Sequence, residues 1–327
     1  TEVNITAAAY FTNQSLENGA VMTLSSHMPN FAYAEEKEGT SEKTYDRYDY
    51  LAADSYNLTG DCMNQILPGG AYHDRFAAYL DMIAEYAHQV NGPVLFRPFH
   101  ENTGSWFWWG KAFCDPETYK SVFKYTVEYL RDEKDVHNLL YVYGPGSEAA
   151  SIAEYEERYP GDAYVDMVGF DSYDSNPVSD EEGYTFGTNF ANTVRLTDEF
   201  AKKHGKLFAV TETGISGLPN LECGRPDWFT EIMDIITEEG IDCSYFMVWT
   251  NYSATSYYIP FVTSISEDGT LHGHEMLDGF IRFYNDERSI FASDQKRVLT
   301  DGGSRPISPK IEKWTEAGGY ITAPVAG

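Results

Sequence analysis

Short apolar, β-rich runs recur along the chain at positions 20–25, 94–96, 139–143, 167–170, 207–210 and 245–249. The intervals between most of them carry a helical period. Over 76–87 the apolar positions Phe76, Leu80, Ile83, Ala84 and Ala87 are spaced to fall on one helix face. Tyr119, Val122, Phe123, Val127 and Leu130 do the same behind Asp115, a capping side chain, and Pro116, whose fixed φ suits a first helical turn. Further helices are expected over 5–17, over 192–204 with a stop at Gly205, over 228–239 between Asp227 and Gly240, and near 276–285. Continuous apolar strands alternating with helices predict an α/β fold with a parallel sheet covered by helices.

The strands end on polar tips: Phe99-His100-Glu101, Asp171-Ser172-Tyr173 and Thr211-Glu212-Thr213. Chemistry gathers at such strand ends in a (β/α)8 TIM barrel. No Gly-rich phosphate loop follows any strand, which argues against a doubly wound nucleotide-binding sheet. Six strands are visible where a barrel needs eight, and the helix over 5–17 already precedes the first of them. The expectation is a barrel lacking its first two strands in this chain. It spans 1–300, followed by a linker at 301–317 and the start of a C-terminal module at 318–327.

Charge narrows the partners. With 51 acidic against 23 basic residues the net charge is −28. Such a surface repels nucleic acid and anionic membranes, which need clustered Lys and Arg. No apolar run approaches the roughly 18 residues of a membrane helix. No leader is visible, and the chain opens on Thr1, so a leader removed upstream is expected. Cys62, Cys114, Cys223 and Cys243 form no CxxC pair, which argues against zinc and leaves up to two disulfides with three connectivities. Cys243, opening a strand, reads as a small hydrophobe. A monomer is expected, within a chain that carries further modules.

The chemistry is in two segments. In Val94-Leu-Phe-Arg97-Pro-Phe-His100-Glu101, strand alternation would put Arg97, Phe99 and Glu101 on one face, a cation two places below a carboxylate. The segment 207–212 ends on Glu212 with Phe208 and Val210 beneath it. Glycoside hydrolysis with retention needs two carboxyls about 5–5.5 Å apart, one a nucleophile that stays ionised and one an acid that stays protonated. Arg97 suits the nucleophile, although it equally suits a structural ion pair.

A lone strand-end Glu is more often a cap or an ion pair. The residues after Glu101 change that weighing. Trp106, Trp108 and Trp109 lie within four residues between Gly104 and Gly110, an arrangement that makes sense lining a cleft. Trp106 is the candidate platform for the C–H face of a pyranose, and Trp108 or Trp109 would plug the barrel top. No metal or cofactor is expected. His100-Glu101 lacks the second His of a metalloprotease helix, and Asp171, Asp174, Asp180, Glu181 and Glu182 do not keep the spacing of a Ca²⁺ loop.

The run Arg97-Pro-Phe-His-Glu101 leading into Gly104-Ser-Trp-Phe-Trp-Trp-Gly110 resembles the signature of glycoside hydrolase family 26, most of whose members are β-mannanases. The similarity runs from Ala20 to about Ala292. It implies Glu101 as acid/base at the fourth strand and Glu212 as nucleophile at the seventh. It implies sugar contacts for His27 and His100, a pocket-shaping role for Asp171, a hydrogen bond from Tyr173 to the nucleophile, and Trp249 as platform under the sugar in subsite −1; Arg97, Trp106 and Trp109 are expected, from their own positions, to bind substrate with them. Thr250 stands where some members have Arg, and the excursion over 28–70 is long and acidic, so distal subsites do not carry over.

The expected activity is a retaining endo-β-1,4-mannanase acting without cofactor on mannan, galactomannan or glucomannan. The alternatives are a β-1,3-xylanase or mixed-linkage β-glucanase of the same family, and a non-catalytic carbohydrate-binding barrel. A polymer substrate implies an extracellular or cell-surface location.

Overall fold

A computed structural model describes residues 4–39, 42–51, 53–177, 184–220 and 225–291. The linker and C-terminal module expected beyond residue 300, Cys223 and the acidic residues Asp180 to Glu182 lie outside these. The chain forms two compact units, Thr1–Gly169 with Phe200–Lys206 and Phe170–Glu199 with Leu207–Gly327.

In the first unit, helix α1 (Ile5–Glu17) leads into strand β1 (Met22–Ser25). A two-stranded ribbon, β2 (Glu35–Glu36) with β3 (Tyr48–Asp49), and the single turn α2 (Cys62–Gln65) fill the excursion after it. Helix α3 (His73–His88) then precedes β4 (Val94–Arg97), and α4 (Pro116–Glu128) precedes β5 (Leu139–Tyr143). The short α5 (Ile152–Glu156) leads to β6 (Met167–Asp174), which begins in this unit and continues into the second. β1, β4, β5 and β6 are neighbours in that order and parallel, with Met22 opposite Val94, Val94 opposite Leu139 and Val142 opposite Met167. All four residues of β4 are buried, as a strand covered on both faces must be. The core between sheet and helices is aromatic: Phe31, Phe76, Phe96, Phe99, Tyr119, Phe123 and Trp108 are almost fully covered.

The second unit takes up β6 at Phe170 and adds α6, which starts here within Phe186–His204, then β7 (Leu207–Ile215), α7 (Trp228–Ile236), β8 (Cys243–Val248), the antiparallel pair β9 (Val262–Ile265) with β10 (Leu271–Gly273), and α8 (Leu277–Tyr284). Strand order is β6-β7-β8, with β7 and β8 parallel. Phe229 packs on Phe280 and Phe283 where α7 meets α8.

The parallel strands leading into helices are the repeating unit of a (β/α)8 barrel, and the six strands marked in the sequence correspond to β1, β4, β5, β6, β7 and β8. The Asp115 carboxylate caps α4 as expected, accepting from Thr118 N at 2.8 Å. Three expectations need correction. Asp227 stands at the start of α7 but makes no cap bond; Arg282 takes its carboxylate instead. α7 also ends at Ile236, three residues before the expected stop. Finally, β4 ends at Arg97, so the pleat does not reach Glu101. Phe99 and Glu101 both adopt left-handed backbone, with φ of 50° and 52°. Among the described residues, Cys62, Cys114 and Cys243 carry free thiols, and burial pushes those of Cys62 and Cys243 up to about 12. No described helix is long and apolar enough to cross a membrane.

Candidate active site

Each unit carries a cluster at the C-terminal ends of its strands. In the first, two left-handed residues in the span 99–101 cost of order 1–3 kcal/mol each, and such strain persists only where surroundings enforce it. The enforcing bonds are visible. Tyr119 Oη donates to Phe99 O at 3.0 Å, Trp109 Nε1 donates to His100 O at 2.7 Å, and Glu101 N donates to Gly144 O, past the end of β5, at 2.8 Å. The turn swings Glu101 outward to a half-buried position. There Trp106, 42% exposed, donates its Nε1 to Glu101 Oε2 at 2.6 Å. The indole lies so close over Gly104 that a Cβ there would come 2.3 Å from it, so a larger residue would push the ring from this position.

Behind this pair stands a wall of rings. His27, two residues past β1 and exposed, meets His100 edge-on at 5.1 Å and Phe107 at 5.3 Å between centroids. Tyr56, 58% exposed, packs on Phe107 at 5.1 Å and faces His27 at 6.4 Å. Phe107 stacks on Trp109 at 4.4 Å. Each contact of this kind contributes about 0.5–1.5 kcal/mol beyond the area it buries. Trp108 is buried, its Nε1 donating to Met28 O, which ties the aromatic loop to the segment after β1.

Two residues expected against sugar sit elsewhere. Trp109 is fully covered, and stacking needs an open ring face; it backs His100 and Phe107 instead. Arg97 is covered as well, and its charge acts on neighbours inside the protein. One of these is His100. Burial, then the Arg97 charge and His27, hold the His100 imidazole well below the usual histidine range, so the ring is neutral. Its Nδ1 has no hydrogen-bond partner among the described residues.

A neutral buried histidine has a signature in stability. Below about pH 6.5 the unfolded chain takes up a proton that the folded protein refuses, so stability is complete above that value and falls with acidification. Each pH unit costs up to about 1.4 kcal/mol from this group. Urea unfolding of the protein and of His100→Gln at pH 7, 6 and 5 should show a shallower acid loss in the variant. Parallel curves would show that His100 carries no such coupling.

In the second unit, β6 supplies Asp171 and Tyr173, and β7 supplies Thr211 and Glu212. Thr211 Oγ1 donates to Asp171 Oδ1 and Tyr173 Oη donates to Glu212 Oε2, both at 2.6 Å. A hydroxyl donor to a carboxyl oxygen at this distance is a short bond that fixes where the carboxyl group points. Glu212 is 3% exposed, with Phe208 and Val210 below it on a strand that stays extended to Ile215. Tyr258 meets the Tyr173 ring edge-on at 5.8 Å and lies against Gly214, where φ is 145° and a Cβ would be 2.7 Å from the Tyr258 ring. Trp249, just past β8 and half-buried, donates its backbone N to Thr213 O at 2.9 Å, which fixes it beside the Glu212 strand. Asp174 accepts from Tyr184 Oη and Trp228 Nε1, anchoring α7 to the end of β6.

The sequence did not single out Tyr56 or Tyr258, whose rings sit in segments without periodicity; Phe107 lay unremarked inside the aromatic motif, and Thr211 beside Glu212 at a polar strand tip.

Residues 7–260 match the model of glycosyl hydrolase family 26. The chain is similar to a mannan endo-1,4-beta-mannosidase of Bifidobacterium adolescentis, 35% identical over 261 residues, which are 76% of this chain and 24% of that protein. It is 29% identical over 256 residues to the mannan endo-1,4-beta-mannosidase A and B of Caldalkalibacillus mannanilyticus, covering 74% of this chain and 43% of the relative. The chain thus spans less than half of either relative's length. Among solved structures, a double mutant of Cellulomonas fimi endo-beta-1,4-mannanase superposes with a TM-score of 0.74 at 33% identity, covering 89% of this chain and 60% of that one. The catalytic domain of a Bacillus sp. JAMB-750 endo-beta-1,4-mannanase gives 0.74 at 28% identity, with coverage of 96% and 73%.

Proposed function

We propose that this chain, which belongs to glycosyl hydrolase family 26, is a retaining endo-β-1,4-mannanase acting on mannan, galactomannan or glucomannan. The observation that carries the reading is that two strand-end glutamates are dressed differently. Glu212 accepts the Tyr173 hydroxyl on a rigid extended strand, and Glu101, on a strained turn, is held against the indole of an exposed tryptophan. The first dressing aims a carboxyl from a rigid, covered position, and the second holds one beside an exposed ring that can meet a sugar.

Glu212 is assigned as nucleophile. Its carboxylate bonds to the anomeric carbon as the glycosidic C–O bond breaks, and Glu101 gives its proton to the departing oxygen. In the second half, Glu101 takes a proton from water, the water oxygen bonds to the anomeric carbon, and Glu212 leaves as carboxylate. Trp106, His27 and Trp249 are assigned to sugar contact, His100 to a neutral hydrogen-bonding role, and Asp171 and Tyr173 to holding the pocket of Glu212. Arg97 and Trp109 support from behind. A polymer of this size is met outside the cell or at its surface, and the enzyme is assigned there as a monomer that needs no cofactor.

The experiment is release of reducing ends from locust-bean mannan, β-1,3-xylan and lichenan. Release from mannan above the other two is expected. Release only from xylan or lichenan would move the chain to another specificity of the family, and release from none would leave a carbohydrate-binding barrel.

A further inference from the structure

Arg158, just past α5 in the first unit, is 2% exposed and pairs with no carboxylate among the described residues. Its partners are neutral. Nη2 donates to Cys114 O at 2.5 Å and reaches Lys111 O at 3.4 Å, and Nη1 meets Cys114 Sγ at 3.4 Å. The guanidinium carbon stands 5.7 Å from the centre of the Tyr119 ring, and the buried Nε has no partner among the described residues. A guanidinium stays charged in proteins, and covering one without a counter-ion is a costly burial. An apolar side chain of similar volume would suit folding as well or better. What the arginine adds is therefore the placement of its donors.

Those donors act on the neck of the aromatic loop. Lys111 N donates to Gly104 O at 2.8 Å, and Gly104 N donates to Glu101 O at 3.0 Å. One line of hydrogen bonds thus runs from Arg158 through Lys111 and Gly104 to the backbone of Glu101. The Trp106 indole, which holds the Glu101 carboxyl, rests over Gly104 in the same line. A second branch passes through Tyr119. The guanidinium lies over its ring, and its Oη donates to Phe99 O while accepting from Asn102 Nδ2 at 3.1 Å. Phe99 opens the left-handed turn and Asn102 follows it. α5, which presents Arg158, is itself tied to the sheet: Tyr143 Oη donates to Tyr155 O at 3.2 Å, and Tyr155 Oη donates to Gly169 O at 2.7 Å.

We infer that Arg158 is a positioning residue for the acid/base glutamate. It pins the neck of the aromatic loop against Tyr119 and so fixes the Glu101 carboxyl where the departing oxygen takes its proton. The inference rests on the mannanase reading and gives Arg158 no contact with sugar. A shift of about 1 Å in a reacting group can cost on the order of 10²-fold. Here the loss falls on proton transfer, since Glu212 has its own bond to Tyr173.

The test is the ratio of kcat/KM for phenyl β-mannobioside to that for 2,4-dinitrophenyl β-mannobioside. Both substrates present the same two sugars, and the phenolate depends on a proton to leave where the dinitrophenolate does not. A loss of binding common to both cancels in the ratio. In Arg158→Met, which fills the space without donors or charge, the ratio should fall about tenfold, a part of the roughly 10²–10⁴-fold that an acid group supplies. Arg158→Lys keeps the charge but lacks the fork that serves two carbonyls, and its ratio should fall about threefold. An unmoved ratio in either variant, however large the loss shared by both substrates, makes Arg158 a prop for the fold and overturns the inference. So does a ratio in Arg158→Lys lower than in Arg158→Met. Should Arg158→Met show no cooperative urea transition, Arg158→Lys decides alone by the same ratio. An unsubstituted protein inert on mannan and on both mannobiosides overturns the mannanase reading, and this inference with it; an active protein whose ratio stays fixed in the variants overturns the inference alone.

Discussion

Glu212→Ala should cut turnover of mannan by on the order of 10⁵-fold, because removal of a nucleophile that works as one unit with its partner group costs that much in comparable enzymes. Binding of mannohexaose, read by calorimetry, should survive, since the aromatic platforms are untouched. The variant also has a chemical signature. With the carboxylate gone, a small anion such as azide can occupy its place and attack the anomeric carbon of an activated aryl β-mannoside. The product is then the α-mannosyl azide, by a single inversion, with the aryl oxide leaving. A β-configured azide, or a variant that keeps more than a few per cent of its activity on mannan, would remove Glu212 from the nucleophile's role. Tyr173 gives a graded companion to this experiment. Its hydroxyl bond to Glu212 at 2.6 Å is charge-assisted when the carboxylate is ionised, so losing it should weaken catalysis without ending it.

How far these residues could be seen in advance depends on the forces that hold each in place. β5 and α1 were legible to the residue because apolar period and element coincide there. β6 and β7 read short. Their apolar runs stop at Phe170 and Val210, but the extended backbone continues through Asp171–Asp174 and Thr211–Ile215, whose polar side chains bond within the second unit. Periodicity reports burial by apolar side chains, and is blind to a strand stabilised by its own polar tips. Those tips are the candidate site, so the strands were clearest where they matter least to function.

The turn at 99–101 was illegible for another reason. The pattern favoured a continued strand, and the left-handed residues are imposed by Tyr119, Trp109 and Gly144, which lie 9 to 43 positions away in the chain from the residues they hold. The excursion over 28–70 is similar. Its two ribbon strands are two residues each, too short to show a period, and its course is set by Asn30 Nδ2 on the carbonyls of Asn57 and Thr59 and by Arg75 on those of Phe31 and Ala32. Tyr56 was hidden there. The two glutamates themselves were found through the motif around them, and geometry then supplied their partners.

Glu101→Ala should discriminate between leaving groups. An acid/base group contributes about 10²–10⁴-fold, and its share depends on how badly the departing oxygen needs a proton. A sugar hydroxyl has a high pKa and needs one, so cleavage of mannan should drop about 10³-fold. The 2,4-dinitrophenolate ion leaves unaided. On its mannobioside the first half-reaction should proceed at near the original rate, and the enzyme should then stall as the glycosyl-enzyme on Glu212, because no base remains to activate water. A burst of dinitrophenol equal to the enzyme concentration, followed by a slow steady state, is the expected trace. Azide needs no general base, so adding it should restore steady turnover and give the β-mannosyl azide, with configuration retained through two inversions. Equal losses on mannan and on the dinitrophenyl substrate, with no burst and no azide response, would show that Glu101 serves the fold through its bond to Trp106 and not the proton transfer. The strained backbone makes that outcome measurable on its own. A residue kept left-handed only for stability should become easier to replace by Gly or Asn than by Ala, whereas a proton donor is equally lost in all three.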